Sequence, residues 1–159
     1  MALPESLRAP RLQKLYAYWD RSRGEARALS RAALDPITMP REALPYLILL
    51  EIVPETLDFQ YRLVGTGVVE MLGRDFTGQR VSTYQARHET EDLISGYRHV
   101  VKHVEPRQYF GDLRNTGREY VRYECLALPV ASRDDRINQV LAGVAFDPPL
   151  ERDPIREDR

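Results

Sequence analysis

The chain has one cysteine, Cys125, in 159 residues. An intrachain disulfide is impossible, and a metal cluster built on thiolates is excluded. A reducing compartment suits such a chain. Long apolar runs are also missing. The longest strongly apolar stretch, Leu47–Leu50, falls far short of the ~20 residues that cross a bilayer as a helix. Met1–Pro10 holds no apolar run of signal-peptide length. No charge of one sign prevails either: the formal net charge is −1, which argues against a general polyanion binder, because neutralising phosphates takes a concentrated excess of Lys and Arg. The expectation is a soluble, cytoplasmic protein with no nucleic-acid partner and no membrane insertion.

What is present suffices for one domain with one core. Hydrophobic residues make up 43% and charged residues 30%, within the ordinary range of soluble domains of this length. Residues 1–41 carry eight basic and four acidic side chains, whereas 147–159 carry three and five. We read the first as a solvated arginine-rich face and the second as a charged, disordered tail over 149–159. With two prolines, residues 1–11 read as a flexible leader.

Leu12, Leu15, Tyr16 and Trp19 recur at i, i+3, i+4 and i+7, one apolar stripe on a helix expected over 12–30, with Gly24 as a possible earlier stop. Asp35-Pro36 reads as a helix start, cut short by Pro40 and Pro45. Leu47–Val53 and Asp58–Gly65 read as a strand hairpin, the second strand placing Phe59, Tyr61 and Leu63 on one face. Thr66–Leu72 reads as a helix stopped by Gly73, with Thr66 a candidate N-cap. Ala86–Val104 is the longest expected helix, with Pro106 beyond its end. Three strands follow at Arg107–Leu113, Arg118–Val130 and Gln139–Phe146, separated by the turn Asn115-Thr116-Gly117 and the polar loop Ser132–Asn138.

This order of elements, together with particular residues, resembles a known family. Tyr61-Arg62-Leu63-Val64-Gly65-Thr66, then Leu72-Gly73-Arg74-Asp75 and Thr77-Gly78, are similar to the second strand and first core helix of a bacterial stand-alone PAS family of the PAS_5 kind. Tyr18-Trp19, Arg31, Asp35-Pro36 and Leu141–Asp147 resemble the same family. The resemblance implies an α+β fold over 12–148: a five-stranded antiparallel sheet with helices on one face and an extra N-terminal helix. It implies a sensory or adaptor role in bacterial signalling. It does not fix a ligand, because the matching residues are of the structural kind.

Flavin-binding PAS domains place a reactive cysteine on a helix, whereas Cys125 falls in an expected strand. Haem-binding ones often place an axial His on the long helix, facing the pocket. Here Leu93, Ile94, Tyr97, Val100, Val101 and Val104 form the apolar stripe of that helix, and His88, His99 and His103 fall off it. Neither cofactor is expected. His99 and His103 have metal-compatible spacing, but Asp92 lies two turns away and a four-ligand site is missing. Glu51, Arg62, Arg122 and Glu124 read as cross-strand pairs on a solvent-facing sheet surface.

What remains is an apolar pocket with polar edges, or a filled core of the same residues. Its candidates are Tyr61, Leu63, Met71, Tyr97, Val101, Tyr109, Tyr123 and Cys125. The favoured function is a signalling module that binds an unknown small ligand, a protein partner, or both. The stripe Leu12, Leu15, Tyr16 and Trp19 is the candidate surface for a homodimer or a signalling partner, with cover for its own sheet as the alternative. A small α+β enzyme of the isomerase or dehydratase type, with a tyrosine-lined pocket and a buried group of shifted pKa, is the rival reading.

Overall fold

The structure is a computed structural model. It describes residues 3–56, 58–84, 87–113 and 118–148, with side chains described except at 84, 87–90 and 118–120. The expected turn at 115–117 and the tail from 149 lie outside the described residues.

Helix α1 (Pro10–Arg23) comes first, with Pro at its opening position and Gly24 ending it at φ 58°. The helix does not continue to residue 30. Leu29–Ser30 is instead a short strand, β1, running parallel to the fifth strand, β5 (Arg118–Ala131). Strands β2 (Leu47–Ile52) and β3 (Phe59–Val64) form the expected hairpin. Helices α2 (Thr66–Leu72), α3 (Val81–Tyr84) and α4 (Arg87–His103) follow, then β4 (Arg107–Leu113), β5 and β6 (Ile137–Phe146). The sheet runs β1-β5-β6-β2-β3, and β4 pairs with β5 beyond the short β1 contact. The sheet therefore has six strands where five were expected. The five longer strands are antiparallel to their neighbours.

Helices occupy both faces of this sheet. On one face, Leu12, Leu15 and Trp19 of α1 bury against Leu126, Leu128 and Val130 of β5 and Leu141 and Ala145 of β6. On the other face, α2 and α4 cover Cys125, Ala127, Val140, Ala142 and Val144 with Val68, Tyr97 and Val100. The period-2 alternation of β5 and β6 splits these residues cleanly between the two layers. Gly143 lets α1 approach: a Cβ there would stand 2.4 Å from a Leu15 methyl.

Residues 6–9, just before α1, are built into the fold, where a flexible leader was expected over 1–11. Leu7 is fully buried in the α1 core and Ala9 nearly so. Ser6 donates to the Gln108 side chain, whose amide donates back to the Ser6 carbonyl. An isolated leucine among prolines gives no periodic signal, so its burial is a product of the tertiary contact alone.

The motif that carries the family resemblance has a plain physical use. Gly65, not Thr66, is the N-cap of α2, and no side chain caps the helix. A Cβ on Gly65 would stand 2.2 Å from the Pro45 carbonyl oxygen, a backbone atom. Its N–H donates to the Leu47 carbonyl at 2.7 Å. Gly73 ends the same helix in the left-handed region at φ 81°, where a side chain is costly. Asp35-Pro36 opens a turn rather than a helix: the Asp35 carboxylate accepts from the Ile37 N–H, and its carbonyl from the Thr38 N–H.

Candidate ligand layer and partner surface

Between α4 and the sheet lies an aromatic layer. Tyr61 of β3 meets Phe76 edge-on at 4.6 Å, Phe59 meets Tyr97 at 5.6 Å, and Tyr97 meets Tyr109 at 6.3 Å. The antiparallel register sets Tyr109 of β4 opposite Cys125 of β5. The Tyr109 hydroxyl donates to the Tyr97 hydroxyl at 3.0 Å and also hydrogen-bonds the Cys125 thiol. Burial raises both phenols well above the ordinary tyrosine value, and it pushes the Cys125 thiol up to about 12. The three polar groups are therefore neutral across the physiological range and act as hydrogen-bonding groups only. A buried thiol of this kind is inert as a nucleophile.

Six of the eight expected pocket residues come together here: Tyr61, Tyr97, Val101, Tyr109, Tyr123 and Cys125. Tyr123 lies across Gly111, where a Cβ would stand 2.3 Å from its hydroxyl. Leu63 does not join them. The register shifts between Leu49 and Leu50, so Leu50 faces Tyr61 and Leu49 faces Leu63, with Arg62 as the extra residue. A one-residue bulge reverses the faces beyond it. Leu63 then falls on the opposite face from Tyr61 and is 46% exposed. Met71 is half-buried, and its neighbour Leu72 packs on the layer instead.

The expected partner stripe is spent on the chain's own sheet. Leu12 and Leu15 are fully buried and Trp19 is 2% exposed. The Trp19 indole N–H donates to the Pro129 carbonyl at 3.0 Å. Tyr16 is half-buried at the edge, its ring 5.9 Å from Trp19. A twin subunit or partner meeting this helix must use its outer side, because covering the sheet consumes the apolar one.

His99 and His103 stand exposed on α4, with rings 4.3 Å apart and Glu105 3.6 Å from His99. They face away from the aromatic layer, as the helix arithmetic requires. His88 lies outside the described side chains. Among the described residues, no group of three or more His, Cys, Asp or Glu can hold a metal ion. No helix among them is long and apolar enough to cross a membrane.

Glu51 and Arg62 pair at 3.0 Å as the strand reading expected. Glu124 does not lie on a solvent-facing surface. It is fully buried on the α1 side of β5. Its carboxylate accepts from the Arg8 and Ala9 N–H groups at 2.9 and 2.8 Å and from the Gln108 side chain at 2.7 Å. It thereby anchors the start of α1, where backbone N–H groups lack helical partners and negative charge is favoured. A glutamate in a strand carries no sequence mark of this role. Among the described residues Asp58 is the other buried carboxylate, accepting from the N–H groups of Phe59 and Ser82 and from the Ser82 hydroxyl.

Two surface clefts flank these layers. One, of about 390 Å³, sits at the far end of the α1 face and is bordered by Arg31, Glu51, Arg133, Asn138 and Gln139. The other, of about 150 Å³, lies by Arg8, Phe110 and Tyr123. Neither is lined by Tyr61, Tyr97, Tyr109 or Cys125.

No curated protein matches the chain. Among solved structures it is similar to an IcIR transcriptional regulator from Alicyclobacillus acidocaldarius, at 14% identity and a TM-score of 0.30, over 66% of this chain. This chain spans 52% of that protein's length. The likeness is too slight to bear on fold or function. The profile of the PAS domain family, PAS_5, matches residues 7–145. That match takes in Leu7, the α1 stripe, the Gly65 turn and the aromatic layer, so the chain belongs to the PAS_5 family of PAS domains.

Proposed function

We propose that this PAS domain is a sensory or adaptor module of bacterial signalling. In this reading it binds a small, largely apolar, uncharged ligand at the aromatic layer and passes the change to a protein partner or a second subunit. The observation that carries the reading is the Tyr97–Tyr109–Cys125 chain of hydroxyls and thiol within an apolar wall. Such a wall offers hydrogen bonds to orient a neutral ligand and apolar area to hold it.

The same chemistry speaks for binding over catalysis. An isomerase or dehydratase needs a group that exchanges a proton near neutral pH. Burial moves Tyr97, Tyr109 and Cys125 away from that range. Both buried carboxylates, Asp58 and Glu124, are occupied in holding backbone N–H groups. The layer touches α4 and the sheet together, so a ligand that spreads it shifts α4 against β4 and β5. The exposed Phe110 on β4 is the apolar side chain best set to report that shift to a partner.

The test is native mass spectrometry of the freshly purified protein, followed by a thermal-shift screen of neutral apolar compounds. A ligand held at a hundredfold its Kd stabilises by about 2.7 kcal/mol, which is a rise of roughly 5–11 °C for a chain of this size. Tyr97→Phe and Tyr109→Phe should weaken that ligand while leaving the fold intact. Binding that ignores both substitutions, or a bare chain with no stabilising compound, sinks the reading.

A further inference from the structure

The chain of polar groups in the aromatic layer has a direction. A phenol carries a single proton to donate, and Tyr109 spends it on the Tyr97 hydroxyl at 3.0 Å. In its bond with Cys125 the Tyr109 oxygen therefore accepts, and the thiol S–H is the donor. Donation runs from Cys125 to Tyr109 to Tyr97. The Tyr97 oxygen, at the end, has accepted a bond, but its own proton meets no acceptor among the described residues.

Burial gives that loose end weight. Tyr97 is 5% exposed. It belongs to the cluster that includes Phe59, Val68, Val100 and Val140, and the Phe59 ring stands edge-on at 5.6 Å. Such a wall offers the proton no acceptor. Ionisation does not remove it, because burial holds the phenol well above the ordinary tyrosine value. A buried donor left unpaired costs about 1–3 kcal/mol, and folded proteins leave few of them. A hydroxyl that already accepts a bond is polarised into a better donor, so Tyr97 is also the group in this chain best prepared to donate.

We propose that the ligand of the aromatic layer is a small aprotic carbonyl compound (a ketone, aldehyde or ester) whose oxygen accepts the Tyr97 proton. The inference rests on the layer being the ligand site, as proposed above, and adds the chemical class. A carbonyl oxygen supplies the missing acceptor and brings no donor of its own. A hydrocarbon leaves the Tyr97 proton unspent. An alcohol supplies an acceptor but adds a proton that needs one in turn. A carboxylate brings a charge into a wall of apolar side chains and neutral phenols, at a cost far above one hydrogen bond.

Calorimetric titration of the whole chain with matched pairs tests the inference. Cyclohexanone is set against methylenecyclohexane, and acetophenone against α-methylstyrene. Within a pair only the oxygen differs, replaced by a methylene of nearly the same shape. In at least one pair the ketone should bind the native chain at least as tightly as its hydrocarbon, although water holds the ketone better. Tyr97→Phe should shift the ratio of the two dissociation constants tenfold or more towards the hydrocarbon, about 1.4 kcal/mol. Tyr109→Phe should weaken the ketone but keep most of that ratio, because the Tyr97 proton remains. The infrared carbonyl band of the bound ketone should move to higher frequency in Tyr97→Phe, a change that repacking alone does not produce. If the hydrocarbons bind the native chain more tightly, or if the ratio survives Tyr97→Phe, the inference is overturned while the layer stands as an apolar site. If no member of either pair binds, the reading of the layer as a ligand site falls, and the inference with it. Should Tyr97→Phe fail to fold, the pairs on the native chain still decide.

Discussion

Replacing Glu124 tests the least visible feature of this fold. Its carboxylate is fully buried and accepts from two backbone N–H groups ahead of α1 and from Gln108. Glu124→Leu strands three donors, one buried and two partly buried. Each unsatisfied donor costs about 1–3 kcal/mol, and the favourable charge at the helix start, about 0.3–1 kcal/mol, is lost as well. Against this stands the carboxylate's own desolvation, which the leucine no longer bears. The net loss expected is about 4 kcal/mol, in line with breaking one side of a buried charged network. Glu124→Gln keeps one acceptor oxygen and turns an N–H₂ towards a donor, so about 2 kcal/mol is expected. At roughly 2–4 °C per kcal/mol for this size, the melting temperature should fall by about 8–16 °C and 4–8 °C. Thermal and urea unfolding followed by circular dichroism measure both. A cycle with Gln108→Leu should show coupling above about 1 kcal/mol, since the two side chains share one network. If Glu124→Leu melts within about 2 °C of the native chain, the anchor has no energetic weight and Leu7 alone seats the segment.

Leu12→Glu should destabilise the fold by more than about 3 kcal/mol, because it puts an unpaired charge into the layer beneath α1; sedimentation velocity showing a folded monomer produced from a native dimer would instead restore the stripe as a contact surface. Gly65→Ala should lower stability by about 3 kcal/mol, the upper range for overpacking, since its Cβ would meet backbone at 2.2 Å; an unchanged urea midpoint refutes the close approach. Alkaline stability follows from the raised acidities of Cys125, Tyr97 and Tyr109. The native chain keeps these protons while the unfolded chain releases them from about pH 9 upward, at the ordinary values of 9.0 and 10.0. The Cys125 contribution is therefore fully present below pH 9 and fades between there and about 12, and those of the tyrosines are fully present below pH 10 and are lost as the pH rises beyond it. Each group steepens the fall by up to about 1.4 kcal/mol per pH unit, so Cys125→Ala should flatten the decline measured by urea unfolding from pH 8.5 upward.

Local chemistry alone marked most of the elements and the family, though not the short strand β1 or the turn at Asp35-Pro36. Periodicity marked α1 and the inward side of α4, and alternation marked the strands. Gly65 and Gly73 betrayed the turns around α2, because each sits where a Cβ is excluded or strained. Those signals travel within a few residues, so a single chain displays them. The tertiary structure decided what depends on residues far apart. The bulge at Arg62 turned Leu63 out of the aromatic layer, and strict alternation cannot foresee an inserted residue. Leu7, isolated among prolines, is core in a segment that Glu124 and Gln108, about a hundred residues away, hold by hydrogen bonds. The stripe on α1 was legible as apolar, but not what covers it, because burial against one's own sheet and against a partner leave the same pattern. Arg31, Asn138 and Gln139 form a cleft for the same reason Glu124 forms an anchor. Their chemistry is written in the sequence, but the sheet register alone brings them together.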